Sequence, residues 1–248
     1  MATRPPRRAL GTPTCTLSGH TEARVWHVAW SPKGDTLASC GEDRSIRLWC
    51  GGEASAEWQC VAVLEEGHQR TIRWCEWAPD GRYIASCSFD GTASVWEILD
   101  GDFDCVASLE GHENEVKAVS WSASGQLLAT CGRDKSVFVW EAEDEAYEVA
   151  AVLHAHTADV KAVAWHPRTD VLASASYDDT LKLYSQANDD WRSFATLSGH
   201  TSTVWALAFS EDGRGLVSCG DDRTVILWRD TTGECAYTQV AALPEVRA

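Results

Sequence analysis

The sequence predicts an all-β chain built from five repeated units, and three observations predict it. Histidines recur at His20, His68, His112, His156 and His200, with gaps of 48, 44, 44 and 44 residues. Each is followed 28 or 29 residues later by an aromatic: Trp49, Trp96, Trp140, Tyr184 and Trp228. Six residues before each aromatic stands an aspartate (Asp43, Asp90, Asp134, Asp178, Asp222), and ten before it a hydroxyl (Ser39, Ser86, Thr130, Ser174, Ser218). A period near 44 residues is that of β-propeller blades.

Within each period the elements follow in order. A first strand such as Val25 to Trp30 ends on Trp30, Trp77, Trp121, Trp165 or Phe209. A turn follows, for example Ser31-Pro32-Lys33-Gly34, Ala78-Pro79-Asp80-Gly81 or Ser210-Glu211-Asp212-Gly213. Proline and glycine at these places close hairpins. A second strand carries Leu37-Ala38-Ser39 or its copies, a tight turn holds the aspartate, and a third strand such as Ser45 to Trp49 follows. A fourth precedes the next histidine: Trp58 to Leu64, Phe103 to Leu109, Tyr147 to Leu153, Trp191 to Leu197 and, last, a strand near 233–240. Four strands make one blade.

Carried by Gly-His (Ala-His in the fourth unit), the turn aspartate and the terminal aromatic, residues 12–240 resemble the WD-repeat family. The aspartate of the eponymous dipeptide is replaced by Cys50, Glu97, Glu141, Ser185 and Arg229, the position least constrained by packing. The resemblance implies that each blade's His, Ser/Thr, Asp and aromatic form a hydrogen-bonded chain. Each link is worth about 1 kcal/mol net, and a partner left buried and unpaired costs more. These fifteen His, Asp and aromatic residues are therefore expected to be structural.

Several features that suggest chemistry have plainer explanations. Ser, His and Asp together form the nucleophilic constellation of hydrolases, but one active site does not repeat five times in phase, so no catalytic residue is assigned. The 13 tryptophans mostly recur at fixed positions and are expected in the core. Of the ten cysteines, Cys40, Cys87, Cys131 and Cys219 stand nine before the blade aromatic, and Cys60 and Cys105 fall in fourth strands. All six read as small buried hydrophobes. No Cys-x-x-Cys occurs, and His154-Ala155-His156 has no thiol at a ligand-like spacing, so neither metal nor cofactor is expected. The acidic stretch from Glu141 to Glu148 reads as a solvated loop.

With 21 Lys+Arg against 37 Asp+Glu, the formal charge of -16 disfavours nucleic acid and anionic membrane as partners. No apolar run is long enough to span a bilayer, and residues 1–11 offer three arginines and two prolines with no secretory stretch. The expected address is cytoplasm or nucleus, with residues 1–11 and 241–248 as tails flanking the propeller.

Candidate binding residues flank the first strand and the turn aspartate, where propellers dock partners. Trp26, Arg73, Lys117, Lys161 and Trp205 follow the first strand's β-branched residue; Glu42, Phe89, Arg133, Tyr177 and Asp221 precede the aspartates. Basic and aromatic side chains concentrated there, on so acidic a chain, predict a face for an acidic or aromatic-tipped peptide. The competing explanation is an ordinary solvated rim.

Four strings in exposed turns narrow the resemblance: Glu66-Gly67-His68-Gln69-Arg70-Thr71, the run from Leu109 to Lys117, the run from Leu127 to Val137, and Ser174 to Thr180. They are similar to the WD-repeat subunits of the cytosolic iron–sulfur protein assembly targeting complex. That resemblance implies a non-enzymatic scaffold delivering clusters to cytosolic and nuclear apoproteins, with the complex's other subunits and the apoproteins as partners. Arg133 matches an exposed basic position of that family. Where members carry Leu-Tyr-Arg, this chain has Leu183-Tyr184-Ser185. The family ring has seven blades, whereas five are recognisable here, and Pro244 stands where the next histidine is due. A closed five-bladed ring and an open, incomplete arc both fit, and residues 12–17 and the C-terminal strand compete to complete the last blade. The alternative function is another WD-repeat adaptor, a ubiquitin-ligase subunit or chromatin peptide reader; a propeller enzyme would need an unphased cluster of acids, bases or metal ligands.

Overall fold

Twenty strands form five antiparallel sheets in the computed structural model, which describes residues 15–51, 58–99, 101–143 and 146–243. Residues 1–11, expected as a tail, lie outside the described residues, as do 12–14 and 244–248. Blade 1 comprises β1 (Val25–Trp30), β2 (Thr36–Gly41), β3 (Ile46–Gly51) and β4 (Trp58–Leu64). Blade 2 comprises β5 (Ile72–Trp77), β6 (Tyr83–Ser88), β7 (Ala93–Leu99) and β8 (Asp102–Leu109). Blade 3 runs through β9 (Val116–Trp121), β10 (Leu127–Gly132), β11 (Val137–Glu143) and β12 (Ala146–Leu153). Blade 4 has β13 (Val160–Trp165), β14 (Leu172–Ser176), β15 (Thr180–Ala187) and β16 (Asp190–Ser198). Blade 5 has β17 (Val204–Phe209), β18 (Gly215–Gly220), β19 (Val225–Asp230) and β20 (Tyr237–Leu243).

In every sheet the strands lie in sequence order, and the first strands pack on one another while the fourth strands barely touch. The first strand is thus innermost. Because an interior blade is covered on both faces, its second strand carries small residues, such as Ile84-Ala85-Ser86-Cys87 in β6, all buried. One joint shows the pattern. Ala38, Cys40, Ile46, Leu48 and Leu64 of blade 1 form a single cluster with Ile72, Cys75, Trp77, Ile84 and Trp96 of blade 2.

The sheets do not close into a ring, which decides between the two arrangements the sequence allowed. Among the described residues, neither end face has a neighbouring blade. Trp30 is 56% exposed, whereas Trp77, Trp121 and Trp165 at the same register are 9%, 6% and 7% exposed. Trp30 was expected in the core with its copies; without a preceding blade it stays in solvent. At the other end Leu227 is 36% exposed, against 1% for Leu48.

Three further expectations are corrected. The stretch from Glu141 to Glu148, expected as a solvated loop, ends β11 at Glu143 and begins β12 at Ala146. Cys60 and Cys105 are exposed, because the outermost strand meets solvent, and each thiol points at a carbonyl two residues on, Ala62 and Ala107. The last strand starts at Tyr237 instead of 233, because the Asp230 carboxylate accepts from the backbone N–H groups of Thr232, Gly233 and Cys235 at 3.0, 3.0 and 2.9 Å and holds a turn there; it runs on to Leu243, so 241–243, expected in the tail, pair with β19. The fifth blade's outer slot is filled by this strand; residues 15–19 form none.

Candidate docking face

Each repeated histidine sits inside its own sheet. In blade 3, His112 Nδ1 donates to Asp134 Oδ2 at 2.7 Å, Thr130 Oγ1 donates to His112 Nε2 at 2.8 Å, and Trp140 Nε1 donates to that hydroxyl at 2.9 Å. A carboxylate only accepts and an indole only donates, which assigns the imidazole tautomer. The same chain joins His20, Asp43, Ser39 and Trp49; His68, Asp90, Ser86 and Trp96; and His200, Asp222, Ser218 and Trp228. In blade 4, His156 contacts Asp178 at 2.8 Å and Ser174 at 2.6 Å, and the fully buried Tyr184 hydroxyl reaches Ser174 at 3.1 Å.

The aspartates are held by more than the imidazole. Burial alone would raise their pKa, but hydrogen bonds from the histidine, a hydroxyl two residues on and the backbone more than offset it, leaving Asp134, Asp178 and Asp222 at about 2. These five sites are separate and internally satisfied. Among the described residues, no group of three His, Cys, Asp or Glu side chains is placed to hold a metal.

The candidate binding residues are positioned by a repeated irregularity. In all five blades the pairing of the first and second strands slips by one residue, and the residue passed over is Trp26, Arg73, Lys117, Lys161 or Trp205. A bulge takes a residue out of strict alternation and re-aims its side chain. Four of the five bulged side chains lie against residues that precede a turn aspartate, and the fifth, Arg73, lies over Trp26. Arg73 lies over the Trp26 ring at 5.1 Å, Trp26 is 6.4 Å from the Phe89 ring, and Lys117 Nζ is 4.2 Å from Phe89. Lys161 lies between Tyr177 and Trp205, at 5.4 and 5.2 Å from their rings. One row thus runs across the arc.

Glu115 and Asp159, which the sequence reading passed over, neutralise part of this row. Lys117 Nζ donates to Glu115 Oε2 at 2.6 Å, and Lys161 Nζ to Asp159 Oδ2 at 3.1 Å. Lys117 above all holds the Glu115 carboxyl below its ordinary range, aided by Arg133 at 3.8 Å and Arg70 at 3.5 Å. Each acid stands two residues before its lysine, but that lysine is the bulged residue, so the spacing alone does not show that the pair meets. A cleft of about 310 Å³ lies between Glu115, Lys117, Arg133, Asp159, Lys161 and Tyr177. Arg133 and Tyr177 are exposed at its edge, and the exposed Trp205 donates from Nε1 to Asp221 Oδ1 at 2.6 Å. Arg73 lies over Trp26, whereas Arg133 lies beside Glu115.

Glu76 was not anticipated either. Its Oε1 accepts from Ser120 Oγ at 3.0 Å and from the Trp121 backbone N–H at 2.9 Å, linking the innermost strands of blades 2 and 3. Withdrawal from water pushes its pKa up to about 7. The register holds Ala29, Ala164 and Ala208 in three other blades, so an acid there is the anomaly that marks it.

Comparison with known proteins agrees with this architecture. The WD domain, G-beta repeat family matches residues 11–50, 58–97, 103–141, 147–185 and 191–229. "Protein CIA1" of Arabidopsis thaliana is 49% identical over 101 residues, 38% of this chain and 28% of that protein. "Probable cytosolic iron-sulfur protein assembly protein Ciao1" of Culex quinquefasciatus is 55% identical over 94 residues, 38% of this chain and 27% of its own. A Mycosarcoma maydis protein, "Probable cytosolic iron-sulfur protein assembly protein 1", is 42% identical over 106 residues, 38% of this chain and 23% of its own. The matched chain therefore spans about a quarter of the length of these curated relatives. Five phased blades, each with its internal hydrogen-bonded chain and its family match, make this chain a member of the WD-repeat family.

Proposed function

We propose that this protein is a non-enzymatic scaffold of cytosolic iron–sulfur protein assembly, acting through protein contacts in the cytoplasm and nucleus. The names of its relatives support the process, and the repeat architecture supports the mode of action. The clusters are cargo of the machinery. The partners are the other subunits of the targeting complex and the recipient apoproteins.

The observation that carries the docking assignment is the bulge that repeats in all five blades and presents one basic and aromatic row on an acidic chain. Lys117 and Lys161 are already matched by Glu115 and Asp159, so they form the floor. Arg133 and Arg73 supply the cationic contacts, while Tyr177, Trp205, Phe89 and Trp26 supply the flat apolar ones. An acidic peptide, or one tipped with an aromatic residue, fits this chemistry.

The test is co-purification with iron–sulfur assembly subunits, using the chain and an Arg73→Glu, Arg133→Glu variant. Losing two such contacts should weaken binding by at least about 2 kcal/mol, roughly thirtyfold. Unchanged capture by the variant would remove this face from the function. Capture of ubiquitin-ligase or chromatin proteins in place of assembly subunits would move the chain to a different adaptor class.

A further inference from the structure

At each joint between blades, one residue of a second strand packs with one residue of the next blade's first strand. Cys87 shares a buried cluster with Val119, Cys131 shares one with Val163, and Ala175 packs with Leu207. The joint of blades 1 and 2 differs, because Cys75 occupies the register that Val119, Val163 and Leu207 hold in the other blades. Cys40 of blade 1 therefore faces a second thiol. Both cysteines are fully buried in one cluster, and Cys40 is a hydrogen-bond partner of the Cys75 thiol.

A base stands beside them. His27 pairs with Cys40 across β1 and β2, its Nδ1 donates to the Cys75 carbonyl at 3.0 Å, and its imidazole also reaches the Cys75 thiol. The neighbouring Cys40 thiol, ahead of burial, pushes the Cys75 thiol up from its ordinary value, so this sulfur rests protonated. Two thiols already in hydrogen-bond contact need only a short side-chain movement to bond.

We propose that Cys40 and Cys75 are an oxidation site, forming a disulfide that ties blade 1 to blade 2 when a hydroperoxide is present. His27 takes the Cys75 thiol proton while the sulfur attacks the peroxide; the departing hydroxide takes that proton and leaves as water, and Cys75 becomes a sulfenic acid. The Cys40 thiol then attacks that sulfur, and its proton leaves with the hydroxyl as a second water. In sum two S–H bonds and one O–O bond break, one S–S bond and two O–H bonds form, and the peroxide is reduced to water. Burial makes the step slow, since the oxidant enters only as the joint opens, and the exposed Cys60 and Cys105 react first. In a reducing compartment the pair rests as thiols, and the link marks oxidative conditions. The same joint carries the Arg73 contact with Trp26, so the link also fixes that end of the row.

The experiment caps the exposed thiols of the folded, full-length chain with iodoacetamide, removes the reagent and adds hydrogen peroxide. The chain is then unfolded, its remaining thiols are capped with N-ethylmaleimide, and its tryptic peptides are weighed. The peptides carrying Cys40 and Cys75 should appear joined, two hydrogens lighter than the free pair, and separate with dithiothreitol. The urea midpoint should rise on oxidation and return on reduction, because the link restricts the unfolded chain. Cys75→Val and Cys40→Ala each install a residue that another blade holds at that register, and each should abolish both the link and the midpoint shift. A thermal melt before oxidation verifies folding, with Cys75→Ser or Cys40→Ser replacing a variant that does not fold. Recovery of both cysteines as maleimide adducts after peroxide, a link from either to a different cysteine, or the same midpoint shift in Cys75→Val would each overturn the proposal.

Discussion

Replacing Glu76 by glutamine should stabilise the protein in a strongly pH-dependent way. The carboxyl bridges blades 2 and 3 through Ser120 and Trp121, and its pKa stands at about 7 against an ordinary 4.5. Below pH 4.5 the group is protonated in folded and unfolded chains alike and costs nothing. Between 4.5 and 7 the unfolded chain releases its proton while the folded chain keeps it, so stability falls as pH rises. Above 7 the loss is complete. A shift of that size corresponds to about 3 kcal/mol. Glutamine retains the accepting oxygen and carries no charge, so Glu76→Gln should gain up to about 3 kcal/mol at pH 8 and close to nothing at pH 4.5. Urea unfolding of both proteins across this range measures the difference. An equal stability change at both ends would show that ionisation of Glu76 plays no part.

Ser174→Ala should leave His156 Nε2 and the Tyr184 hydroxyl unpaired in the blade 4 interior and cost about 2–3 kcal/mol, while adding Tyr184→Phe should cost little more, a non-additivity read from denaturant midpoints. Gly213→Ala should destabilise by more than about 1 kcal/mol, because its φ is +73° and the new methyl would strike the His166 ring; the melting temperature reports this, and His166→Ala should recover part of it. Burial holds the pKa values of His156 and His166 below 6.5. Their contribution should be complete above pH 6.5 and disappear as pH falls through the depressed values, so His166→Gln should lessen the loss of stability below pH 6.5 in calorimetric melts.

Most of the fold was legible because its constraints are local and repeated. The histidine, hydroxyl, aspartate and aromatic recur at fixed intervals, and the structure places each set within one sheet. The registers of the docking residues were legible for the same reason. Their environment was not. Nothing in the spacing shows that the backbone slips at Trp26 and its four counterparts, and Glu115 and Asp159 matter through contacts across the row. Closure was open as well: Trp30 and Trp77 have the same sequence context, and only the presence of a neighbouring blade makes one exposed and the other buried. The solvent exposure of Cys60 and Cys105 depends on their place in the outermost strand, which a hydrophobicity pattern does not distinguish from an interior one.

The slip at the start of every innermost strand separates two jobs that a regular strand would force upon the same residues. A side chain set apart from the alternating ladder can be exchanged without disturbing the apolar contacts on either side. That freedom is visible within this one molecule, where the five equivalent places hold two tryptophans, two lysines and an arginine on an otherwise uniform frame. Recognition can therefore drift while the architecture stays put.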